Sequence, residues 1–272
     1  MTDPRSALEA IGQLPDPEIE IADAALQLAR VDMPDGDHLA ARAHLSDLAR
    51  AGAALAQISE PAAQAEALAD LLGRQHGYHG DGETYDSPAN ANLIQVIERR
   101  RGLPVALGIL WLHTARAVGW EAYGIDFPGH FLIGLQGGRS PAVIDVFAGG
   151  TRLDTRQLRL LARTYEGPQA DLRPDMLRPM TSRAVLLRLQ NNIKLRRLRA
   201  DDMAGAQAAN ADMLRIAPEE AALWRDGALL QARAGDVAAA LAHWDRFLAL
   251  VPSGAAAEHA RTAMAELRSR LH

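Results

Sequence analysis

The chain has no cysteine. That absence removes disulfides, thiolate-held metals and every reaction that needs a sulfur nucleophile. Lysine is nearly missing as well: Lys194 stands alone beside arginine among 29 basic residues. With alanine abundant, this imbalance reflects composition bias rather than a functional signature. No stretch approaches the roughly 20 uninterrupted apolar residues of a spanning helix, and the start, Met1-Thr2-Asp3-Pro4-Arg5, lacks the basic-then-apolar pattern of a signal peptide. A cytoplasmic address with no membrane partner is therefore expected. Aromatic residues make up only 4% of the chain and the net charge is −5, so nothing attracts nucleic acid overall. There is no phosphate-cradling glycine-lysine loop, dinucleotide fingerprint, HExxH or nucleophile elbow.

What is present suits a folded protein. The 272 residues are 48% hydrophobic and 23% charged, enough for a sizeable core and longer than one average domain. Residues 1–75 are expected to form an N-terminal helical segment, because Ile19 to Leu72 reads as two or three amphipathic helices, with Ile21, Ala25, Leu28 and Ala29 at helical spacing. Gly73 to Pro88, rich in glycine, reads as a loop. Residues 76–180 are expected to form an α+β core. An apolar helix through Leu93, Val96 and Ile97 stops at Gly102; Pro104 then opens a helix, Val105 to Val118, that is apolar on nearly every face and is capped by Gly119. Three β-prone runs follow, Trp120 to Phe127, His130 to Leu135 and Ala142 to Phe147, separated by Pro128-Gly129 and by residues 137–141. This order predicts a buried helix packed on one face of an antiparallel meander.

Residues 181–272 repeat at an interval of 34. Arg199 to Ala206 corresponds to Arg233 to Ala240, Leu214 to Leu248 and Pro218 to Pro252, the tetratricopeptide period. The second copy carries Trp224, Gly235, Ala240, Trp244 and Pro252 at the expected offsets. The first copy is degenerate, and a capping helix is expected from Ala255 to Leu271. Trp224, Trp244 and Phe247 take repeat packing positions. The basic run Arg188, Lys194, Arg196, Arg197 and Arg199 reads as a solvated helix face, since no aromatics interleave it.

The chemistry concentrates between Arg101 and Phe147. A glycine turn, Gly102, opens the buried helix; His130 begins one strand after Pro128-Gly129; Asp145 ends the next. This is the order of a papain-like site, in which a thiol at a helix N-terminus gives its proton to a histidine held by a carboxylate. Here the helix start holds Leu103 and Pro104 instead. The segments Asn90-Ala91-Asn92-Leu93, Val96 to Pro104, Pro128-Gly129-His130-Phe131, Asp145 to Gly150 and Trp224-Arg225-Asp226-Gly227 resemble the SirB family of bacterial proteins over nearly the whole chain. The resemblance implies a transglutaminase-like core fused to tetratricopeptide repeats, with His130 and Asp145 in the places of the triad's histidine and aspartate. Where family members often have serine, this chain has Ala91 and Ala106.

Two readings of His130 and Asp145 stand side by side: a functional pocket, or a buried hydrogen-bonded pair joining two strands. Asn90 and Asn92 either donate to a bound carbonyl or cap a helix. Gly102, Pro104 and Gly129 complete the candidate binding set. His76, His79, Asp81 and Glu83 share a loop, but their spacing matches no ligand pattern and turn chemistry explains them without metal. No cofactor is expected. The favoured function is a non-catalytic binding or regulatory protein that holds a protein or peptide partner through the old cleft and the repeat surface. The alternative is a hydrolase or transferase-like enzyme that uses His130 and Asp145 as a general base pair.

Overall fold

The computed structural model describes residues 3–137 and 141–269. In chain order the helices are α1 Pro4–Gln13, α2 Ile21–Asp32, α3 His38–Ala53, α4 Pro61–Leu68, α5 Leu93–Arg99, α6 Pro104–Ala117, α7 Thr155–Glu166, α8 Ser182–Arg199, α9 Met203–Ile216, α10 Ala221–Arg233, α11 Val237–Leu250 and α12 Ala255–Ser269. The strands are β1 His79–Gly80, β2 Arg101–Gly102, β3 Ala122–Ile125, β4 Leu132–Leu135, β5 Ala142–Asp145, β6 Thr151–Leu153 and β7 Pro179–Met180. Part of the expected 137–141 turn, residues 138–140, lies outside the described residues, as do Met1, Thr2 and the expected helix end at Leu271. Among the described residues no helix is long and apolar enough to cross a membrane. The chain divides into two compact units, Pro15–Leu189 and a second made of Met1–Leu14 with Gln190–His272.

The first unit is built around α6. Pro104 occupies its first position, where a missing N–H costs nothing, and eleven of its fourteen residues are buried. The expected meander forms: β3, β4 and β5 pair antiparallel in sequence order, and the full sheet order is β6-β5-β4-β3-β7. Phe131 links helix to sheet, because a Cβ on Gly108 of α6 would lie 2.3 Å from its ring. That glycine is required by the close approach of an aromatic side chain. α2, α3 and α5 also pack on α6.

Local pattern alone did not announce the rest of this unit. A second buried cluster, Ile125, Phe127, Leu132, Val143, Leu158, Ala162 and Met176, shows that α7 covers the sheet too, so the sheet is helix-covered on both faces. α7 starts at a capping box in which Asp154 accepts from the Gln157 N–H and the Gln157 side chain returns the bond. Two edge strands, β6 and β7, extend the expected three. The N-terminal region of this unit holds α2, α3 and α4, but the segment expected to be a loop from Gly73 is structured. A π-helical stretch, Ala69–Gln75, continues α4, and β1 pairs parallel with β2, His79 opposite Arg101 and Gly80 opposite Gly102. Burial of Leu71, Leu72 and Tyr78 overrides the glycine and turn signals there.

In the second unit α9, α10, α11 and α12 pack in succession, and α1 packs on α9. Arg5 reaches Asp212 at 3.4 Å and Arg215 reaches Glu9 at 3.4 Å, pairings that no local pattern announces. α9 begins at Met203 and α11 at Val237, 34 residues later, and each is capped by an aspartate, Asp202 and Asp236. The core between α10, α11 and α12 contains Trp244, Phe247 and Met264, with Trp224 partly buried against it. The basic run is not a solvated face. Lys194 is 4% exposed and donates to Asp226 at 2.8 Å, because a lysine that deep needs an acidic partner to offset lost hydration.

Candidate functional site

His130 owes its place to a turn and an anchor. Its backbone N–H donates to the Phe127 carbonyl at 2.9 Å, closing a turn in which Gly129 adopts φ +66, a left-handed conformation that glycine takes without strain. The next residue, Phe131, is 1% exposed and fixed against α6. Asp145 ends β5, and its Oδ1 accepts the backbone N–H groups of Phe147 at 3.0 Å and Ala148 at 3.2 Å. Antiparallel pairing of β4 with β5 then brings the two functional side chains together, with His130 Nε2 lying 3.0 Å from Asp145 Oδ1. Nε2 is buried and not aligned as a hydrogen-bond donor, so the contact is a close pairing rather than a directed bond. Among the described residues no group bonds to Nδ1, the nitrogen left for a substrate or a neighbour.

Two aromatic rings lie against the imidazole, and a third packs on one of them. Tyr165 of α7 stacks on the imidazole, centroids 6.1 Å apart and planes within 13°. Phe147 meets it edge-on at 6.3 Å, and Tyr85 meets Phe147 edge-on at 5.9 Å. Tyr85 is 42% exposed and Tyr165 47%, whereas His130 is 8% exposed. Burial pushes the Tyr165 phenol up, with Tyr85 and Asp145 adding to the effect. Arg188 donates to the His130 carbonyl at 2.6 Å, and burial lowers its pKa. Sequence reasoning missed Tyr85, Tyr165 and Arg188. Scarcity was the available signal, since the chain has four tyrosines and two of them stand here.

The other predicted residues are placed as follows. Asn92 caps α5, accepting from the N–H groups of Ile94 and Gln95, while its amide donates to Ala29 at 3.0 Å. Asn90 is fully buried, donating to Thr84 and accepting from Arg99. Both amides are engaged within the protein. Gly102 lies in β2, Leu103 and Pro104 are buried at the α6 start, and no serine, threonine or cysteine stands in that first turn. Asp81 turns inward to Thr84 and Arg99, at 2.6 and 2.8 Å, which hold its carboxyl far below the usual range. His79 bonds the Gly77 carbonyl, and Glu83 reaches Arg101 at 3.6 Å.

A family model described as the transglutaminase-like superfamily matches residues 37–191, a span that includes α6, the meander and the His130–Asp145 pair. The chain belongs to the transglutaminase-like superfamily. Among relatives, a UPF0162 protein of Xylella fastidiosa strain Temecula1 is 34% identical over 183 residues, 65% of this chain and 64% of its own length. The chain thus spans just under two thirds of that relative. The UPF0162 protein of Pseudomonas aeruginosa is 30% identical over 194 residues, 71% of this chain and 69% of that one. A second from Xylella fastidiosa, strain 9a5c, is 29% identical over 248 residues, covering 90% and 88%. Within this superfamily member an imidazole and a carboxylate meet at 3.0 Å, and the first turn of α6 carries no serine, threonine or cysteine.

Proposed function

We propose that the chain is a non-catalytic protein- or peptide-binding, regulatory member of the superfamily, of the SirB kind, in which a transglutaminase-like cleft has kept its histidine and aspartate and lost its nucleophile. One observation carries the reading. Half-exposed Tyr165 stacks on His130 of the His130–Asp145 pair, and half-exposed Tyr85 packs on Phe147, the other ring against that histidine, while the α6 start offers only Leu103 and Pro104. Exposed aromatic rings over a desolvated polar centre suit recognition of an extended peptide, since a ring adds contact area at little entropic cost.

The C-terminal helices support a second binding surface of tetratricopeptide type. α9 and α11, and likewise α10 and α12, begin 34 residues apart. An open groove of about 270 Å³ between α8 and α10 is lined by Leu195, Leu198, Leu229 and Leu230 around Lys194 and Asp226. Leu195 and Leu229 are 41% and 52% exposed.

The alternative is a hydrolase or transferase-like enzyme with His130 as general base. The Nε2-to-Asp145 contact favours it, because that contact leaves Nδ1 to accept a proton from water or a hydroxyl. Selection of peptides from a displayed library, combined with amide and ester turnover assays on the same protein, separates the two. On the binding reading His130→Ala and Tyr165→Ala abolish peptide selection and no turnover is found in the parent. Turnover lost in His130→Ala with selection intact makes it an enzyme, and loss of folding alone makes the pair structural.

A further inference from the structure

A second cluster of titratable groups takes no part in the His130 centre. Arg100, at the C-terminal cap of α5, donates through Nη1 to His44 Nε2 at 2.6 Å and to the Tyr78 hydroxyl, which itself lies 2.8 Å from the same Nε2. Its guanidinium sits 4.9 Å from the Tyr78 ring centroid. The His76 ring lies 5.5 Å from that of His44, the planes 72° apart. Arg100, His44 and His76 are half-buried and Tyr78 fully buried.

We propose that Arg100, His44 and His76 form a binding site for a tetrahedral oxyanion of the phosphate type. A guanidinium only donates, so its bond to Nε2 requires the lone pair there and puts the His44 hydrogen on Nδ1. One nitrogen of Arg100 is used, while Nε and Nη2 have no acceptor among the described residues. Among the described residues no carboxylate pairs with this arginine. Asp47, on α3, is the nearest acidic influence on both histidines, and it is tied to Arg50 at 2.9 Å. His113, on α6, is engaged with the Leu45 carbonyl at 2.9 Å.

The result is one fixed positive charge, partly withdrawn from water, beside two imidazoles whose neutral form is favoured. Burial and then Arg100 lower both, His44 to about 4. An anion cancels the charge and takes the idle donors. Because the imidazole planes are steeply inclined, their N–H groups are not coplanar, which suits four oxygens around phosphorus better than a flat carboxylate. Arg100 adopts φ 60, a left-handed conformation at the C-terminal cap of α5 that glycine or asparagine enters more easily.

The test is NMR of the histidine ring protons in the full chain, titrated with inorganic phosphate, acetate and chloride at matched ionic strength. Phosphate alone should give saturable shifts at His44 and His76. With sulfate, whose charge is constant across the range, affinity should rise several-fold between about pH 7 and about pH 5 as His76, whose lone pair Arg100 does not take, gains a proton beside the bound anion. Arg100→Gln should weaken binding by about ten-fold or more, the loss of a charge-assisted bond. If that variant fails to fold, His76→Gln, at a half-exposed position, should still weaken binding several-fold. Absence of saturable shifts, an equal response to acetate, or unchanged binding in the variants overturns the site.

Discussion

His130 and His44 belong to the same unit and each lies against a charged side chain, but the charges have opposite sign. His130 Nε2 faces the Asp145 carboxylate at 3.0 Å, and aromatic rings shield it. His44 Nε2 faces the Arg100 guanidinium at 2.6 Å, whose Nη1 also reaches the Tyr78 hydroxyl. A carboxylate orients an imidazole and leaves the other nitrogen available for proton transfer. A guanidinium uses up the lone pair and presents hydrogen-bond donors. The first arrangement suits a base or a recognition centre, the second a receptor for anions, and the residue type alone distinguishes neither.

The comparison breaks most readily at Tyr78, which is fully buried, bonds His44 and meets Trp111 edge-on at 6.3 Å. Tyr78→Ala should cost about 3–5 kcal/mol in chemical denaturation, with the His44 ring resonance moving and that of His130 unchanged. Equal movement of both resonances would mean that the clusters are not independent. The matching change at the other centre is smaller. Gly129→Ala forces a side chain into φ +66, with its Cβ 2.2 Å from the Tyr165 ring, and should cost about 1–3 kcal/mol. Its decisive readout is loss of the ring-current shift that Tyr165 imposes on His130.

The smallest effect is the most diagnostic. The His44 pKa is lowered from 6.5 to about 4, so between those values the unfolded chain holds more protons than the folded one. Stability therefore rises with pH across that window and is lost as pH falls through it; His76, lowered in the same direction, adds to this. Urea midpoints measured from neutral pH down to about 4 should fall in the parent and flatten in His44→Gln. An unchanged slope would remove His44, shifted by burial and then by Arg100, as the group that sets this pH dependence.

Much of the centre around His130 could be read in advance because it is built from local rules. Pro104 and Gly119 bound an apolar helix, Pro128 and Gly129 make a turn, and alternating apolar runs make strands. α7 escaped notice because its apolar residues are few, although Asp154 and Gln157 carried its capping signature. The stretch Ala69–Gln75 escaped because glycine-rich sequence was outweighed by burial of Leu71 and Leu72. Lys194 was misread as solvated because its partner, Asp226, lies 32 positions away.

By itself, then, the amino-acid sequence determined that the chain carries no thiol, that a histidine precedes an aspartate by one strand, and that a 34-residue interval runs through its last helices. Only the tertiary structure decided that Tyr165 stacks on His130, that the histidine and aspartate touch, and that His44 faces a positive rather than a negative charge. The physical reason is range. Turn and helix propensities act over a few neighbours, whereas the charge and the ring beside a side chain come from whichever distant segment the burial of apolar surface brings there.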